Sequence, residues 1–157
     1  MLTSQQKEML EKLPDLISKS ICVLENTQIG YSYAHALFNG ILVPKYLDNE
    51  NRYQSEFVKK TNLDHKVFHE LRGYKKEKKT KMDITLLKVV FGLGTTYEEA
   101  FLFFYYHGKN VLTDDPYMGT INEILLELDN LPSRISGTER VGILYLSLIH
   151  ISEPTRH

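Results

Sequence analysis

Four side chains able to hold a base edge, a phosphate or a metal ion fall close together behind Asp64: His65, Lys66, His69 and Arg72. His65 and His69 stand four residues apart, which puts them on one face of a helix. Two imidazoles at that spacing bind zinc when a third ligand and a supporting shell are present, and the sequence identifies neither. The better reading is a polar helix face that approaches base edges, with Lys66 able to donate to guanine O6 or N7. Covalent chemistry has less support. The chain has no phosphate-binding glycine loop, no HExxH and no nucleophile elbow, and the acidic pairs Asp114/Asp115 and Glu98/Glu99 read as helix caps or surface. A binding protein without cofactor or metal is therefore expected, and not an enzyme.

Such a face needs helices to carry it, and the stretch from Tyr53 to Tyr74 supplies two of them joined by a tight turn at helix-turn-helix spacing. Phe57 and Val58 are expected to give the first helix its inward side. Asn62 stands where that helix must stop, because asparagine tolerates the left-handed backbone of a sharp helix end better than any residue but glycine. Leu63 follows as an apolar plug. Asp64 offers a side-chain oxygen to the open N–H groups of the next helix, which is expected over about His65 to Arg72. Val67, Phe68 and Leu71 then share one side, and His65, Lys66, His69 and Glu70 the other.

Charge is distributed in the same sense. Residues 51–82 hold ten Lys or Arg against four Asp or Glu, a net of +6, while the rest of the chain carries −7, so the overall −1 hides a basic segment. Much of it is the run Lys75, Lys76, Lys78, Lys79 and Lys81, directly after the second helix. With Arg72, those lysines are expected to hold phosphates flanking a groove, a contribution that weakens steeply with salt.

The segment FVKKTNLDHKVFHEL resembles the helix-turn-helix core of the lambda-repressor-like (Cro type) DNA-binding family. Phe57 and Val58 take the family's leucine-alanine positions, Asn62 its glycine, Leu63 its aliphatic residue, Asp64 its serine, and Phe68 and Leu71 its packed pair. Downstream, ITLLKVVFGLGTTYEEAFLF is similar to the family's fourth helix, glycine stop and fifth helix, so the resemblance covers about Ser32 to Gly108. Departures are Val58 in place of alanine, Asn62 in place of glycine, and Glu70 on or near the reading face. The resemblance implies a five- to six-helix all-α domain that binds double-stranded DNA as a sequence-specific transcriptional regulator. It further implies that Gln54 and Ser55 touch phosphate or support the reading helix. A narrower resemblance is to the small helical domain found in some bacterial proteins after a macro domain, with the same lysine-lysine, asparagine, aspartate and phenylalanine before a lysine-rich linker. The alternative use of such a scaffold is a protein-interaction module, antitoxin-like or defence-associated, favoured by Glu70, by an N-terminal amphipathic helix and by aromatic surface at residues 101–106.

The remaining chain reads as helix after helix. Residues 4–19 carry Met9, Leu10, Leu13, Leu16 and Ile17 at amphipathic spacing, interrupted by Pro14, and residues 1–31 are taken as this helix and a loop. A helix-turn-helix domain with one added helix is expected over 32–130. It begins with a helix at about Ser32 to Tyr46 that Pro44 kinks or ends. Asn51 with Gln54, Thr80 with Asp83, and Thr96 with Glu99 each match a capping box. The second of these opens a helix at about Lys81 to Phe91 that Gly92 and Gly94 stop. The helix after Thr96, apolar nearly all round from Phe101 to Tyr106, needs a second cover. A homodimer interface, as the resemblance implies, and packing under a helix at about Pro116 to Asp129 remain equally open. In that last helix Ile121, Ile124, Leu125 and Leu128 form a core-like stripe.

Length and composition fit one domain with extensions: 157 residues, 42% hydrophobic and 25% charged. A single cysteine, Cys22, excludes an intrachain disulfide framework and a cysteine-rich zinc site. Early charges interrupt any signal peptide, and the longest apolar stretch, Ala100 to Tyr106, is too short for a bilayer, so a cytoplasmic protein without membrane contact is expected. Residues 131–157 read as an irregular tail. Its last part, LSLIHISEPTRH, residues 146–157, resembles a translated sequencing-adaptor tail, so these residues are expected to be non-native and the natural chain interrupted near Tyr145.

Overall fold

The first helix, α1, is built from three segments: α-helical Tyr33–Leu37, a π-helical turn over Phe38–Leu42, and α-helical Val43–Tyr46. The Val43 N–H reaches back to the Phe38 carbonyl. This wider ring lies just ahead of Pro44, where a regular ladder would meet a missing N–H and a ring clash. The helix therefore passes Pro44 and ends at Tyr46, later than an early stop at the proline. The computed structural model describes residues 33–48, 50–73, 82–131, 136–137 and 139–144. The expected N-terminal amphipathic helix, the lysine run and the 146–157 tail lie outside these residues.

Helix α2, Tyr53–Thr61, follows a 3-10 turn at Glu50–Arg52. Its cap position is Arg52, without a side-chain cap bond, so the expected Asn51/Gln54 capping box does not open this helix. Asn62 at φ 60° ends it, its N–H bonded to the Val58 carbonyl, and Asp64 starts α3, His65–Arg72, by accepting from the Lys66 N–H. Gly73 at φ 85° closes α3.

Helix α4 spans Asp83–Leu93, α5 Tyr97–Tyr106, and α6 Pro116–Leu126, which runs on into a 3-10 turn at Glu127–Asn130. The expected box at Thr96 and Glu99 forms completely, with both reciprocal bonds made. Helix α4 instead starts behind Met82 with no side-chain cap bond, two residues after the expected position. Gly94 at φ 76° stops it, but Gly92 lies within the helix. A Cβ on Gly92 would stand 2.6 Å from the Lys60 carbonyl oxygen and 2.8 Å from the Thr61 Cα, so glycine is there for the close crossing of α4 with α2.

The chain then turns back. Residues 137 and 139–144 are helical and form α7, and Val141 and Leu144 are buried, which corrects the expected irregular tail from residue 131. Gly137 enters the α2/α4 crossing so closely that a Cβ would lie 2.5 Å from the Gly92 carbonyl oxygen and 2.7 Å from the Lys60 Cβ. Among the described residues the fold is all-helical with no strand, and no helix is long and apolar enough to cross a membrane.

The core explains why the motif is held still. Phe38 of α1 meets Phe57 of α2 and Phe68 of α3 edge-on, each at 5.9 Å between ring centroids, and Phe103 of α5 at 6.2 Å. Phe57 and Phe68 are 4.9 Å apart. Offset and edge-on ring pairs of this kind add attraction beyond their buried area. Phe101 to Phe104 are all buried within the chain, as are Ile121, Ile124, Leu125 and Leu128. Of the two covers expected for α5, this is packing under α6; only Tyr105 of that run, 52% exposed, looks outward.

Several polar groups inside are paired. Tyr97 donates its buried hydroxyl to Asn122, and burial pushes its ionisation up to about 12. Glu99 of α5 takes the Lys45 ammonium at 2.7 Å, the Tyr46 hydroxyl and the Thr96 N–H. Burial alone would raise the Glu99 carboxyl, but these donors outweigh it and hold it below its ordinary value. On the opposite side Asp83 joins Lys109 at 2.7 Å and accepts from the Tyr117 hydroxyl at 2.7 Å, tying α4 to α6.

Candidate nucleic-acid interface

The α2–turn–α3 unit carries the expected face, and its geometry begins with what is turned inward. Phe57 and Thr61 of α2 are buried, as are Phe68 and Leu71 of α3, with Val67 and Leu63 packed at the margin. Thr61 satisfies its hydroxyl locally by donating to the Phe57 carbonyl at 2.7 Å and accepting from the Leu63 N–H at 3.3 Å. Val58, expected inward, is 36% exposed. The reason is rotational: Phe57 and Thr61, four apart, define the buried stripe, and Val58 belongs to the outward row with Gln54 and Asn62.

That outward row continues onto α3. Gln54, Ser55, His65 and Lys66 are exposed, and His69 is half-buried. Gln54 Oε1 and His69 Nε2 lie 3.0 Å apart, linking the first turn of α2 to the third quarter of α3. Ser55 turns back to the Arg52 carbonyl at 3.5 Å. His65 Nδ1 stands 2.9 Å from Asp64 Oδ1, the same oxygen that accepts from the Lys66 N–H at 3.0 Å. The His65 and His69 rings are 6.3 Å apart, nearly perpendicular. The Lys66 N–H, and after it the neighbouring His65 and Lys66 charges, hold the Asp64 carboxyl below its ordinary value, so it stays ionised beside the imidazoles.

Arg72 is oriented differently from its neighbours. Its Nε donates to Asn39 Oδ1 of α1 at 2.6 Å, and its guanidinium carbon lies 5.3 Å from the Phe68 ring centre and 6.0 Å from that of Tyr53. The side chain thus ties α3 to α1 through a hydrogen bond and ring contacts. Lys75, Lys76, Lys78 and Lys79 lie outside the described residues. Glu70, half-buried, stands one helical turn after Lys66. No group of three or more metal-ligating side chains occurs among the described residues.

Two contributors were not singled out from sequence. Lys59 is exposed, one turn after Ser55 on α2, and the four-residue spacing from Ser55 was the available signal. Asn39 holds Arg72 from 33 residues away, and nothing local in the sequence marks it.

The face therefore offers one ammonium in Lys66, a second in Lys59, two imidazoles, an amide and a hydroxyl, mounted on two helices whose relative setting is fixed by Asn62, Asp64 and the phenylalanine cluster. Such a set can donate to phosphate oxygens and can donate to or accept from base edges. No family model, no curated protein and no solved structure matches the chain, so the reading of this face rests on its own geometry.

Proposed function

We propose that the protein binds double-stranded DNA sequence-specifically through α2, its turn and α3, and acts as a transcriptional regulator of lambda-repressor-like type. The observation that carries this reading is the outward row of hydrogen-bonding side chains, Gln54, His65, Lys66 and His69, on a two-helix unit whose inward side is locked into the core. His65, Lys66 and His69 meet base edges in the major groove. Gln54 supports α3 through His69, while Ser55, Lys59 and the lysines at 75, 76, 78 and 79 meet the phosphates. Arg72, through Asn39, contributes by holding α3 in place.

Selection of the full chain against randomised duplexes, with the affinity of the enriched sequence measured at two salt concentrations, tests this. A motif with steep salt dependence is expected, because phosphate contacts release counterions. A palindrome would add a second copy of the chain on the duplex.

Val58, exposed in the middle of the α2 row, favours a second reading in which the same face docks a protein. That reading requires little DNA binding at ~0.15 M salt, where nonspecific electrostatic attraction is already weak.

A further inference from the structure

Helix α2 sorts two of its side chains against their usual order. Thr61, which is polar, is buried, while Val58, which is apolar, is exposed. Among the described residues Val58 is the only Val, Leu or Ile that stands exposed. The fold gains little from valine there. An exposed side chain forfeits part of the free energy of burial, and a β-branched one is a poorer helix former than alanine, lysine or glutamine. The members of the outward row on either side of it, Gln54 and Asn62, are polar, as surface positions ordinarily are.

The position of Val58 is set by its neighbours. Gln54 Oε1 lies 3.0 Å from His69 Nε2, so the side of α2 that carries the row is turned toward α3. Val58 follows one helical turn after Gln54 on that side, and one turn before Asn62, whose left-handed backbone ends the helix. It therefore stands toward the start of α3, where His65 and Lys66 are exposed. Lys59, next in sequence, is exposed as well. The other aliphatic side chains of the turn and of the first turn of α3, Leu63 and Val67, are packed against the core. Val58 is thus an isolated apolar spot on a cationic, hydrogen-bonding surface. A protein-docking patch, by contrast, is a contiguous apolar area of some hundreds of Å².

An isolated apolar spot has one counterpart in the major groove. Base-pair edges there present hydrogen-bond donors and acceptors and a single kind of apolar group, the C5-methyl of thymine. The residues that open a reading helix are the ones that meet base edges. We propose that Val58 is a specificity-determining residue that packs against the methyl group of a thymine, beside the base pairs met by His65 and Lys66. The inference deepens the DNA reading above and rests on it. Val58 selects thymine over any base without that methyl, and does so from α2 rather than from the reading helix. Withdrawing one methyl-sized group from water corresponds to about four-fold in affinity.

The test starts from the duplex that the full chain enriches. Each thymine of the motif is replaced in turn by deoxyuridine, which keeps the pairing edge and lacks only the methyl group. Affinities are then measured for the parent and for Val58→Ala under the same conditions. Alanine is the better helix former, and a melting temperature close to the parent's shows that the variant is folded. The parent is expected to lose about four-fold at one thymine position. In Val58→Ala the same exchange should change affinity little, because both alterations remove one shared contact and do not add. A motif without thymine, or a parent indifferent to the methyl group at every position, overturns the inference and leaves the DNA reading intact. A methyl effect undiminished in Val58→Ala also overturns it, since another side chain then makes the contact. Enrichment of no duplex refutes the DNA reading itself, and the inference with it.

Discussion

The α2–α3 unit and the α4–α6 unit both contain acidic, amide and tyrosine or histidine side chains, but use them in opposite ways. In α4–α6, Asp83, Glu99 and Asn122 are tied to partners on other helices or on the loop after α5: Lys109 and Tyr117, Lys45 and Tyr46, and Tyr97. In α2–α3, the bonds that Gln54, His65 and His69 make among the described residues stay within the unit, with Gln54 and His65 exposed and His69 half-buried, while Lys66 is exposed beside them. The lesson is that a polar residue joined to a partner outside its own unit is part of the packing, whereas a row whose described bonds stay within its own two-helix unit is available to a ligand. Arg72 shows the rule at the boundary, since its bond to Asn39 takes it into the first group.

Substitutions at the shared support should break both regions together. Phe68→Ala removes the ring that meets Phe38 and Phe57, and is expected to cost about 3–5 kcal/mol, read as a lower denaturant midpoint together with loss of DNA binding. Gly92→Ala places a Cβ against the Lys60 and Thr61 backbone, where the neighbours have little freedom to retreat. It is expected to cost about 3 kcal/mol, at the upper end for overpacking, and a melting curve will measure it. If Gly92→Ala leaves the melting temperature unchanged, the close crossing of α2 and α4 is wrong.

Glu99 sharpens the contrast from the packed side. Glu99→Ala leaves the Tyr46 hydroxyl and the Thr96 N–H without their acceptor and is expected to cost about 2 kcal/mol, with DNA specificity retained. Because the folded Glu99 carboxyl is held below 4.5, its contribution is present above pH 4.5 and is lost as pH falls through the folded value. Acid unfolding of Glu99→Gln should therefore show less pH dependence than the parent in that range. From the open side, Asp64→Ala removes the cap of α3 and should lower stability less than Glu99→Ala does in thermal or denaturant unfolding.

Where the determinants are local, the sequence was a reliable guide. Asn62, Asp64, and Thr96 with Glu99 act within three or four residues of themselves, and the turn, the α3 boundaries and one capping box follow from them. Most of the failures share a cause in distant partners. Gln54 was expected to cap α2 and instead meets His69, fifteen residues on. Gly92 was expected to stop α4, but its missing Cβ serves the approach of α2 and of Gly137. Val58 was expected inward, yet Thr61 occupies that side, because a buried hydroxyl can be satisfied by its own helix. Lys45 and Tyr46 reach Glu99 across more than fifty residues, a relation that no periodicity records. The candidate face was legible as residue types, whereas its internal bonds and the inward turn of Arg72 came only with the fold.

The central claim is that the exposed row reads DNA while contributing little to the fold. Replacing His65, Lys66 and His69 together by alanine should leave the fold intact and the melting temperature close to the parent's, since surface substitutions usually cost about 0.5 kcal/mol or less each. Selection of this variant and the parent against the same randomised duplex library is the most direct test. The parent should enrich a motif and the variant should not, at closely matched melting temperatures. An identical motif from both proteins, or none from the parent, would contradict the account.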